Sequence, residues 1–252
     1  MRLLVINPNT SESVSAQLQS HVAAACGEHT EVRVRTARFG APYIASESSY
    51  AVAEHATLDA WSAAGTTAWQ ADAVLVGCFG DPGLFALREC SAVPVTGLAI
   101  ASLARAARDG RFAIVTGGHE WKPILTRFAH ATGHADRLAC IETVQLSGAE
   151  LAARPDESLA LLREACLRVT REHDVGSVII GGAALAGMAD ALQPFVRVPL
   201  IDSVVEGAHE AMRLASLRTT LPEPRSRFEW TGLSPEMQAM VSRRVQADLS
   251  TA

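Results

Sequence analysis

The sequence predicts an α/β fold of two similar lobes, each a parallel sheet flanked by helices. Short β-branched runs alternate with longer amphipathic stretches rich in Ala, Leu and Arg along the 252-residue chain, as in strand–helix–strand crossover units. The order of these runs in the first half recurs in the second. We therefore expect the lobes to be related by a pseudo-two-fold axis, with the active site in the cleft between them.

Eight short runs, most of them bounded by glycine, proline or asparagine, are predicted strands. They are Leu3–Ile6, Glu31–Thr36, Ala73–Gly77, Val93–Thr96, Phe112–Thr116, Leu138–Thr143, Val178–Ile180 and Val198–Ile201. Helices are expected between them. The first helix is predicted to begin with Asn9 as its N-cap and Glu12 three residues later. Another is predicted to open at Pro155, with an apolar stripe that buries Cys166.

The internal similarity rests on strand ends and the prolines that follow them. Val74–Cys78 ends a predicted strand, and Pro94 lies sixteen residues after the cysteine. Val178–Gly182 ends another, and Pro199 lies seventeen residues after its last glycine. Leu3–Asn7 is likewise echoed by Phe112–Thr116. Ligands of parallel sheets bind beyond the carboxyl ends of the strands, so the loops after these strands are the predicted ligand site.

The same pattern suggests a division of the chain into lobes. We expect residues 1–97 together with 200–220 to form the first lobe and residues 98–199 to form the second. Residues 221–252 are expected to be a Pro-rich connector and a C-terminal helix that begins near Ser234 and carries apolar positions. These are Met237, Met240, Val241, Val245 and Leu249.

Composition and charge exclude several classes of function. Twenty-two Lys and Arg against 27 Asp and Glu leave a net charge of −5, and there is no basic block, so a nucleic-acid partner is not expected. No apolar run approaches the ~20 residues of a membrane span, and Met1–Ile6 is too short for a secretory signal. We expect a cytoplasmic protein. The five cysteines show no CxxC spacing and the eight histidines no HExxH, so neither a disulfide framework nor a metal site is predicted.

The strongest local signal is the segment Gly77–Leu84, in which Cys78 follows a buried strand and Pro82 stands at a predicted helix start. Backbone N–H groups at such a turn can hold an anion and favour a thiolate. A free cysteine is, however, commonly a small buried hydrophobic residue. Spacing alone leaves both interpretations of Cys78 open.

Three segments together resemble the hydantoin and allantoin racemases of the aspartate/glutamate racemase superfamily. They are Ile6–Ser11, Gly77–Leu84 and Arg197–Asp202, and the resemblance covers roughly the first 215 residues in order. In that family two cysteine thiols, one from each lobe, exchange the proton of the substrate carbon from opposite faces. The resemblance implies that Cys78 is the first thiol. The second position falls on Gly182, within Gly181–Ala184, so the second thiol is missing.

This departure leaves three functions open. The family implies a cofactor-independent racemase or isomerase that transfers a proton at a carbon next to a carbonyl, in a hydantoin-like or related substrate. A racemase usually needs a base on each face, so a decarboxylase of the arylmalonate decarboxylase type, which protonates one face, is an alternative. A small-ligand binding protein without catalysis is the third. His119 or Glu120 could supply the second base, although an exposed histidine and a glutamate favoured at a helix start explain these two residues better.

The resemblance also implies a set of substrate-binding residues on the strand-to-helix loops, where the family binds carbonyl or carboxylate oxygens. They are Asn7, Asn9, Thr10, Phe79, Gly80, Thr116, Gly117, Gly181, Gly182 and Ala183. The amino-acid racemases of the superfamily carry an acidic residue where this chain has Asn7, so free Asp or Glu is a poor substrate. We expect a small carbonyl or carboxylate compound as the partner, and self-association into a homo-oligomer is among the expectations.

Overall fold

The computed structural model describes residues 1–65, 69–217 and 231–239. The predicted connector at 221–227 and the last apolar positions of the C-terminal helix, Met240 to Leu249, lie outside the described residues. Residues 235–239 are helical, and the side chain of Met237 is buried. Within the described part of the chain, no helix is long and apolar enough to cross a membrane.

Two four-stranded parallel sheets form the framework. The first contains β1 (Arg2–Asn7), β2 (Glu31–Thr36), β3 (Ala73–Val76) and β4 (Val95–Gly97), in the order β2-β1-β3-β4. The second contains β5 (Phe112–Gly117), β6 (Leu138–Val144), β7 (Ser177–Gly181) and β8 (Leu200–Asp202), in the order β6-β5-β7-β8. The same spatial order in both sheets confirms the predicted α/β fold with two similar halves.

Helices connect the strands and cover the sheets. They are α1 (Glu12–Cys26), α2 (Glu47–Ala64), α3 (Leu84–Cys90), α4 (Leu98–Ala106), α5 (Trp121–Ala131), α6 (Gly148–Ala153), α7 (Pro155–Glu172), α8 (Met188–Leu192) and α9 (Ser203–Ser216). The start of α7 at Pro155 and the complete burial of Cys166 agree with the sequence analysis. Proline is well suited to a first helical position because its missing N–H has no partner there.

Two predicted helix starts are wrong. The N-cap of α1 is Ser11, whose Oγ accepts the N–H of Val14, and not Asn9. The side chain of Asn9 instead accepts the backbone N–H of Ser11 at 2.9 Å, a local hydrogen bond that keeps it in the loop. The helix after Cys78 begins at Leu84, with Gly83 as its N-cap, rather than at Pro82.

The chain returns to the first lobe slightly later than predicted. Residues 200–202 form β8, which pairs with β7 in the second sheet, so they do not belong with the first. The return is made by α9, which packs against α1 and α4. The boundary therefore lies at Ser203, where Asp202 caps the helix by accepting the N–H groups of Val204 and Val205.

The strands of the second sheet contribute side chains to two hydrophobic cores, because both faces of the sheet are covered. Ile114 and Ile179 belong to a large core that is continuous with the first lobe. Their neighbours Val115, Val178 and Ile180 belong to a second core under α7. The two lobes are thus joined by shared apolar packing, and the carboxyl ends of both sheets open on the space between them.

Candidate active site

A cavity of about 340 Å³ lies between the lobes. Seven of the ten predicted binding residues line it together with Cys78: Asn9, Phe79, Thr116, Gly117, Gly181, Gly182 and Ala183. The other three, Asn7, Thr10 and Gly80, are not among the lining residues. No side chain charged at neutral pH occurs among the described residues that line the cavity.

Cys78 follows β3 directly, and its side chain is 7% exposed. Burial raises the pKa of the Cys78 thiol, and the carboxylate of Asp81 raises it further, so the thiol is protonated at neutral pH. Of the two interpretations that the sequence left open, burial therefore favours the protonated thiol over the thiolate. The next helix along the chain, α3, begins six residues after Cys78 and has only seven residues, and a helix dipole acts mainly within the first turn.

Helix α2 holds the turn that carries Cys78. The hydroxyl of Tyr50 donates to the carbonyl oxygen of Gly80 at 2.6 Å, and the hydroxyl of Thr57 donates to that of Pro82 at 2.9 Å. A Cβ at Gly83 would lie 2.9 Å from the carbonyl oxygen of Glu54, so the turn and the helix approach each other at backbone distance. These contacts fix the thiol relative to the cavity.

Gly182 contributes to the same cavity from the second lobe. A Cβ at this position would have the side chain of Leu185 as its nearest neighbour, at 3.4 Å, so there is room for a small side chain. The φ angle of Gly182 is +143°, however, which L-amino acids rarely adopt. Its N–H donates to the hydroxyl of Ser203 at 3.1 Å. Among the described lining residues, the second lobe supplies no thiol.

Asn7 organises the loop after β1. Its Nδ2, which carries two hydrogens, lies 3.0 Å from each of three acceptors, namely Asn9 Oδ1, the carbonyl oxygen of Ser11 and Ser15 Oγ. Asn7 is completely buried and does not line the cavity, and its hydrogen bonds order the loop. Oδ1 of Asn9 accepts hydrogen bonds from two donors of this loop. The amide nitrogen of Asn9 takes no part in these two hydrogen bonds.

Three aromatic rings cross the cleft, and each lies on a glycine of the opposite lobe. Phe79 contacts the backbone of Gly181, Trp121 that of Gly80, and Tyr43 that of Gly118. A Cβ at Gly80 would lie 2.7 Å from the Trp121 ring, and one at Gly118 would lie 2.8 Å from the Tyr43 hydroxyl. Any side chain at these glycines would force the rings away.

The sequence analysis missed the loop after β2 and the start of α1. Pro42, Tyr43 and Ile44 line the cavity, as do Ser11, Ser13, Val14 and Gln17. The carboxyl end of β2 lies beside that of β1, so the position of β2 in the sheet was the signal that could have found this loop. Trp121, Ala153, Ala184 and Leu185 also line the cavity on the second-lobe side.

Neither residue considered as a replacement base reaches the cavity. His119 and Glu120 are exposed and are absent from the lining. The Nδ1 atom of His119 lies 2.7 Å from the hydroxyl of Thr143. The described residues contain no group of three or more His, Cys, Asp or Glu side chains that could hold a metal ion.

Comparison with known proteins gives consistent matches over most of the chain. The family model for Asp/Glu/Hydantoin racemase matches residues 3–211. Hydantoin racemase from Pseudomonas sp. is 27% identical over 218 residues, which are 86% of this chain and 87% of that protein. Hydantoin racemase from Paenarthrobacter aurescens is 29% identical over 220 residues, 86% of this chain and 92% of that protein.

Solved structures share the fold. Allantoin racemase from Klebsiella pneumoniae has a TM-score of 0.86 and 29% identity, with 95% of this chain and 98% of that chain covered. A doubly substituted variant of arylmalonate decarboxylase in its liganded form has a TM-score of 0.65 and 16% identity, with 90% of this chain and 97% of that chain covered. At that identity the second match supports the architecture alone.

Proposed function

The chain belongs to the Asp/Glu/hydantoin racemase family, and we propose that it is a cofactor-independent isomerase in which Cys78 transfers a proton at a carbon next to a carbonyl group. The observation that carries the proposal is the place of the thiol, which lines a cavity between the lobes. Of the described lining residues, only Cys78 and Tyr43 have side chains that titrate. The thiol is the more acidic type of group.

The neutral lining favours an uncharged substrate such as a 5-substituted hydantoin. Removing a proton from its ring carbon places negative charge on a carbonyl oxygen, and fixed hydrogen-bond donors stabilise that charge. The amide nitrogen of Asn9 is the side-chain donor we assign to this oxygen. Thr116 is not assigned this role because its hydroxyl already donates to the carbonyl oxygen of Gly181 at 2.6 Å.

Racemisation also requires a proton on the opposite face of the carbon. That face would lie against Gly182, which has no thiol and where a Cβ would be in ordinary contact with Leu185 at 3.4 Å; water is the proton source that we assign to this face. In the proposed isomerase, Cys78 serves one face and solvent serves the other. We expect this arrangement to exchange the proton of one enantiomer faster than it inverts the carbon.

A decarboxylase is the second candidate, and the combination of a protonated Cys78 and a glycine at position 182 favours it. In this reaction the bond between the α-carbon and one carboxylate breaks, CO₂ leaves, and the electron pair remains as an enolate. The thiol of Cys78 then protonates the carbon on one face, and water restores the thiol proton. A single acid is sufficient because no proton has to be abstracted.

Isotope exchange in D₂O separates the candidates. Wild type, Cys78→Ser and Cys166→Ser would be incubated with single enantiomers of 5-substituted hydantoins and with aryl- or alkenylmalonates. Deuterium at the α-carbon, optical rotation and CO₂ would be followed. Cys166 is the matched control, because it lies on α7, is completely buried in the second core and does not line the cavity.

Each outcome assigns a function. Deuterium uptake with loss of optical rotation that depends on Cys78 supports the isomerase. Release of CO₂ with one deuterated enantiomer supports the decarboxylase. Equal activity in wild type and Cys78→Ser contradicts the role of Cys78 in both, and ligand binding without any exchange indicates a binding protein.

A further inference from the structure

A short segment beyond the family match packs against the first lobe. The match to the family model ends at residue 211, and the segment in question comprises residues 233–237. Ser234 stands at the start of a short helix over residues 235–239, where its Oγ accepts the N–H of Met237 at 3.3 Å. The side chain of Met237 is 1% exposed. Segment 233–237 is therefore part of the packed structure of the lobe.

Apolar contacts seat this segment beside α2 and α3. Leu233 and Met237 line a second cavity, of about 450 Å³. Its remaining described lining comes from α2, from α3 and from the turn before α3, namely Glu54, His55, Leu58, Gly83, Phe85 and Ala86. Among the described residues, none lines both this cavity and the one that contains Cys78. Met237 is thus buried next to the helix that holds the Cys78 turn, outside the active site itself.

A buried carboxylate ties the same segment to α2. Asp59 is 2% exposed, and a charge buried to this degree requires hydrogen-bond donors. The hydroxyl of Ser234 donates to Oδ1 of Asp59 at 3.1 Å. Arg38 supplies two more donors, with Nε 2.8 Å from Oδ2 and Nη2 2.6 Å from Oδ1. Asp59 therefore joins segment 233–237, α2 and the loop after β2 at one point.

Arg38 connects the segment to the wall of the active-site cavity. Its Nη1 donates to Oε1 of Glu236 at 3.3 Å, so one planar guanidinium bonds to the carboxylates of both Asp59 and Glu236. A guanidinium with two carboxylate partners is held in one orientation. Arg38 lies in the loop whose residues 42–44 line the active-site cavity. Displacement of segment 233–237 would therefore remove a partner from both Arg38 and Asp59.

Two backbone hydrogen bonds hold the loop after β2 against the loop after β1. The N–H of Ala37 donates to the carbonyl oxygen of Asn7 at 2.9 Å, and the N–H of Thr10 donates to that of Ala41 at 3.1 Å. The loop after β1 also carries Asn9, the side chain that we assign to the carbonyl oxygen of the substrate. The position of the loop after β2 thus bears on the donor as well as on the wall.

We propose that segment 233–237 is a positioning element for the active site: through Asp59 and Arg38, it holds the loop after β2 in the place where residues 42–44 form the cavity wall. This inference rests on the proposed function of the cavity between the lobes. A wall that is fixed before the substrate arrives spares binding the cost of ordering it. Met237 and Glu236 are then positioning residues, since neither lines the active-site cavity.

The test is amide hydrogen exchange of the full chain, followed by NMR in Met237→Ser and Glu236→Ala. Met237→Ser removes the apolar anchor, and Glu236→Ala removes one carboxylate partner of Arg38. We expect the amide protons of Thr10 and Ala37 to exchange at least about tenfold faster in Met237→Ser, in which a buried side chain is lost. In Glu236→Ala, which loses a partly exposed ion pair, we expect an increase of about 2- to 5-fold.

Three comparisons separate this local effect from a loss of overall stability. Met237→Leu keeps a buried apolar side chain of similar volume and should restore exchange at Thr10 and Ala37 to the wild-type rate. Met212→Ser removes a methionine from α9 and should leave these two amides unchanged. In Glu236→Ala the amide of Ile114, in the centre of the second sheet, should exchange as in wild type, since such an amide reports on global unfolding.

Wild-type exchange at Thr10 and Ala37 in Met237→Ser overturns the inference, and so does an equal acceleration in Met212→Ser. Equal acceleration of Ile114 in Glu236→Ala overturns it as well, because the segment would then act on overall stability. Should Met237→Ser not fold, Glu236→Ala decides on the same terms.

Amide exchange is measured without substrate, so its result stands even if the proposed reaction of Cys78 fails. Where deuterium uptake by the substrate is observed, Met237→Ser should raise KM by a larger factor than it lowers kcat. The reason is that the cavity wall contacts the substrate both before and during proton transfer. A lower kcat with an unchanged KM would overturn the inference.

Discussion

The close contact between Phe79 and Gly181 can be tested by adding a single methyl group at Gly181. Gly181→Ala would place its Cβ 2.6 Å and 2.7 Å from two carbons of the Phe79 ring, whereas non-bonded carbons prefer about 3.5–4.0 Å. The ring must therefore move by about 1 Å. Gly181 lies at the end of β7 without a positive φ angle, so the backbone itself accepts alanine and the effect is one of packing.

The expected losses follow from that displacement. Overpacking of a buried ring costs about 1–3 kcal/mol in the free energy of unfolding, measurable by urea denaturation. Phe79 is next to Cys78 and lines the cavity, and a misplacement of about 1 Å at a site costs up to about 10²-fold in rate. We expect the rate of deuterium exchange to fall by about 10- to 100-fold.

A double-mutant cycle isolates the steric cause. Phe79→Leu removes the ring carbons that the new methyl group meets, so Gly181→Ala should cost much less stability in the Phe79→Leu background than in wild type. Gly65→Ala is the control substitution, because its nearest neighbour would be an ordinary 3.4 Å contact. If Gly181→Ala leaves both stability and exchange at wild-type levels, the reasoning about the cross-cleft contact is refuted.

Three further predictions concern the opposite face, the pH dependence and the loop after β2. With hydantoins as substrate, Gly182→Cys should increase the rate of loss of optical rotation relative to the rate of deuterium exchange. It should also lower the free energy of unfolding by about 1–3 kcal/mol, because the φ angle at this position is +143°. An unchanged ratio of the two rates would contradict the assignment of the opposite face to Gly182. The pKa of Asp81 is about 7 when folded and its ordinary value is 3.8, so the native state binds more protons between these values and stability falls as pH rises through that window. Urea denaturation between pH 4 and pH 7 should show this slope reduced in Asp81→Asn. Arg38 forms two hydrogen bonds with the buried carboxylate of Asp59 and holds its pKa below the ordinary value of 3.8. The stability that this ion pair contributes is therefore complete above pH 3.8 and is lost as the pH falls below that value. Arg38→Met should lower stability equally at pH 7 and pH 5 and by less at about pH 2, and an equal deficit at about pH 2 would count against the ion pair.

The strands and the place of Cys78 could be predicted because they depend on local signals. Each strand is an apolar run between breakers, and the carboxyl ends of parallel strands must share one edge. The N-cap of α1 could not be predicted in the same way. The choice between Asn9 and Ser11 depends on Asn7, whose side chain binds Asn9 and so keeps it out of the helix.

The cavity wall formed by Tyr43 depends on contacts that are distant in sequence. Tyr43 reaches Gly118 of the other lobe. Arg38, which lies earlier in the same loop, donates hydrogen bonds to Asp59 of α2 and to Glu236. No periodicity in the segment from 37 to 44 indicates these partners. The raised pKa of Cys78 is likewise a result of burial, which spacing along the chain does not reveal.

The aromatic rings on opposing glycines also restrict how the lobes can move. Each ring meets backbone where any other residue would present a Cβ, so a small lateral displacement would drive the ring into the adjoining side chains. Phe79 and Tyr43 project from the first lobe and Trp121 from the second, so the three contacts interlock in both directions. A displacement of one lobe along the other would have to break them, and the rings therefore help to keep the two walls of the cavity in register.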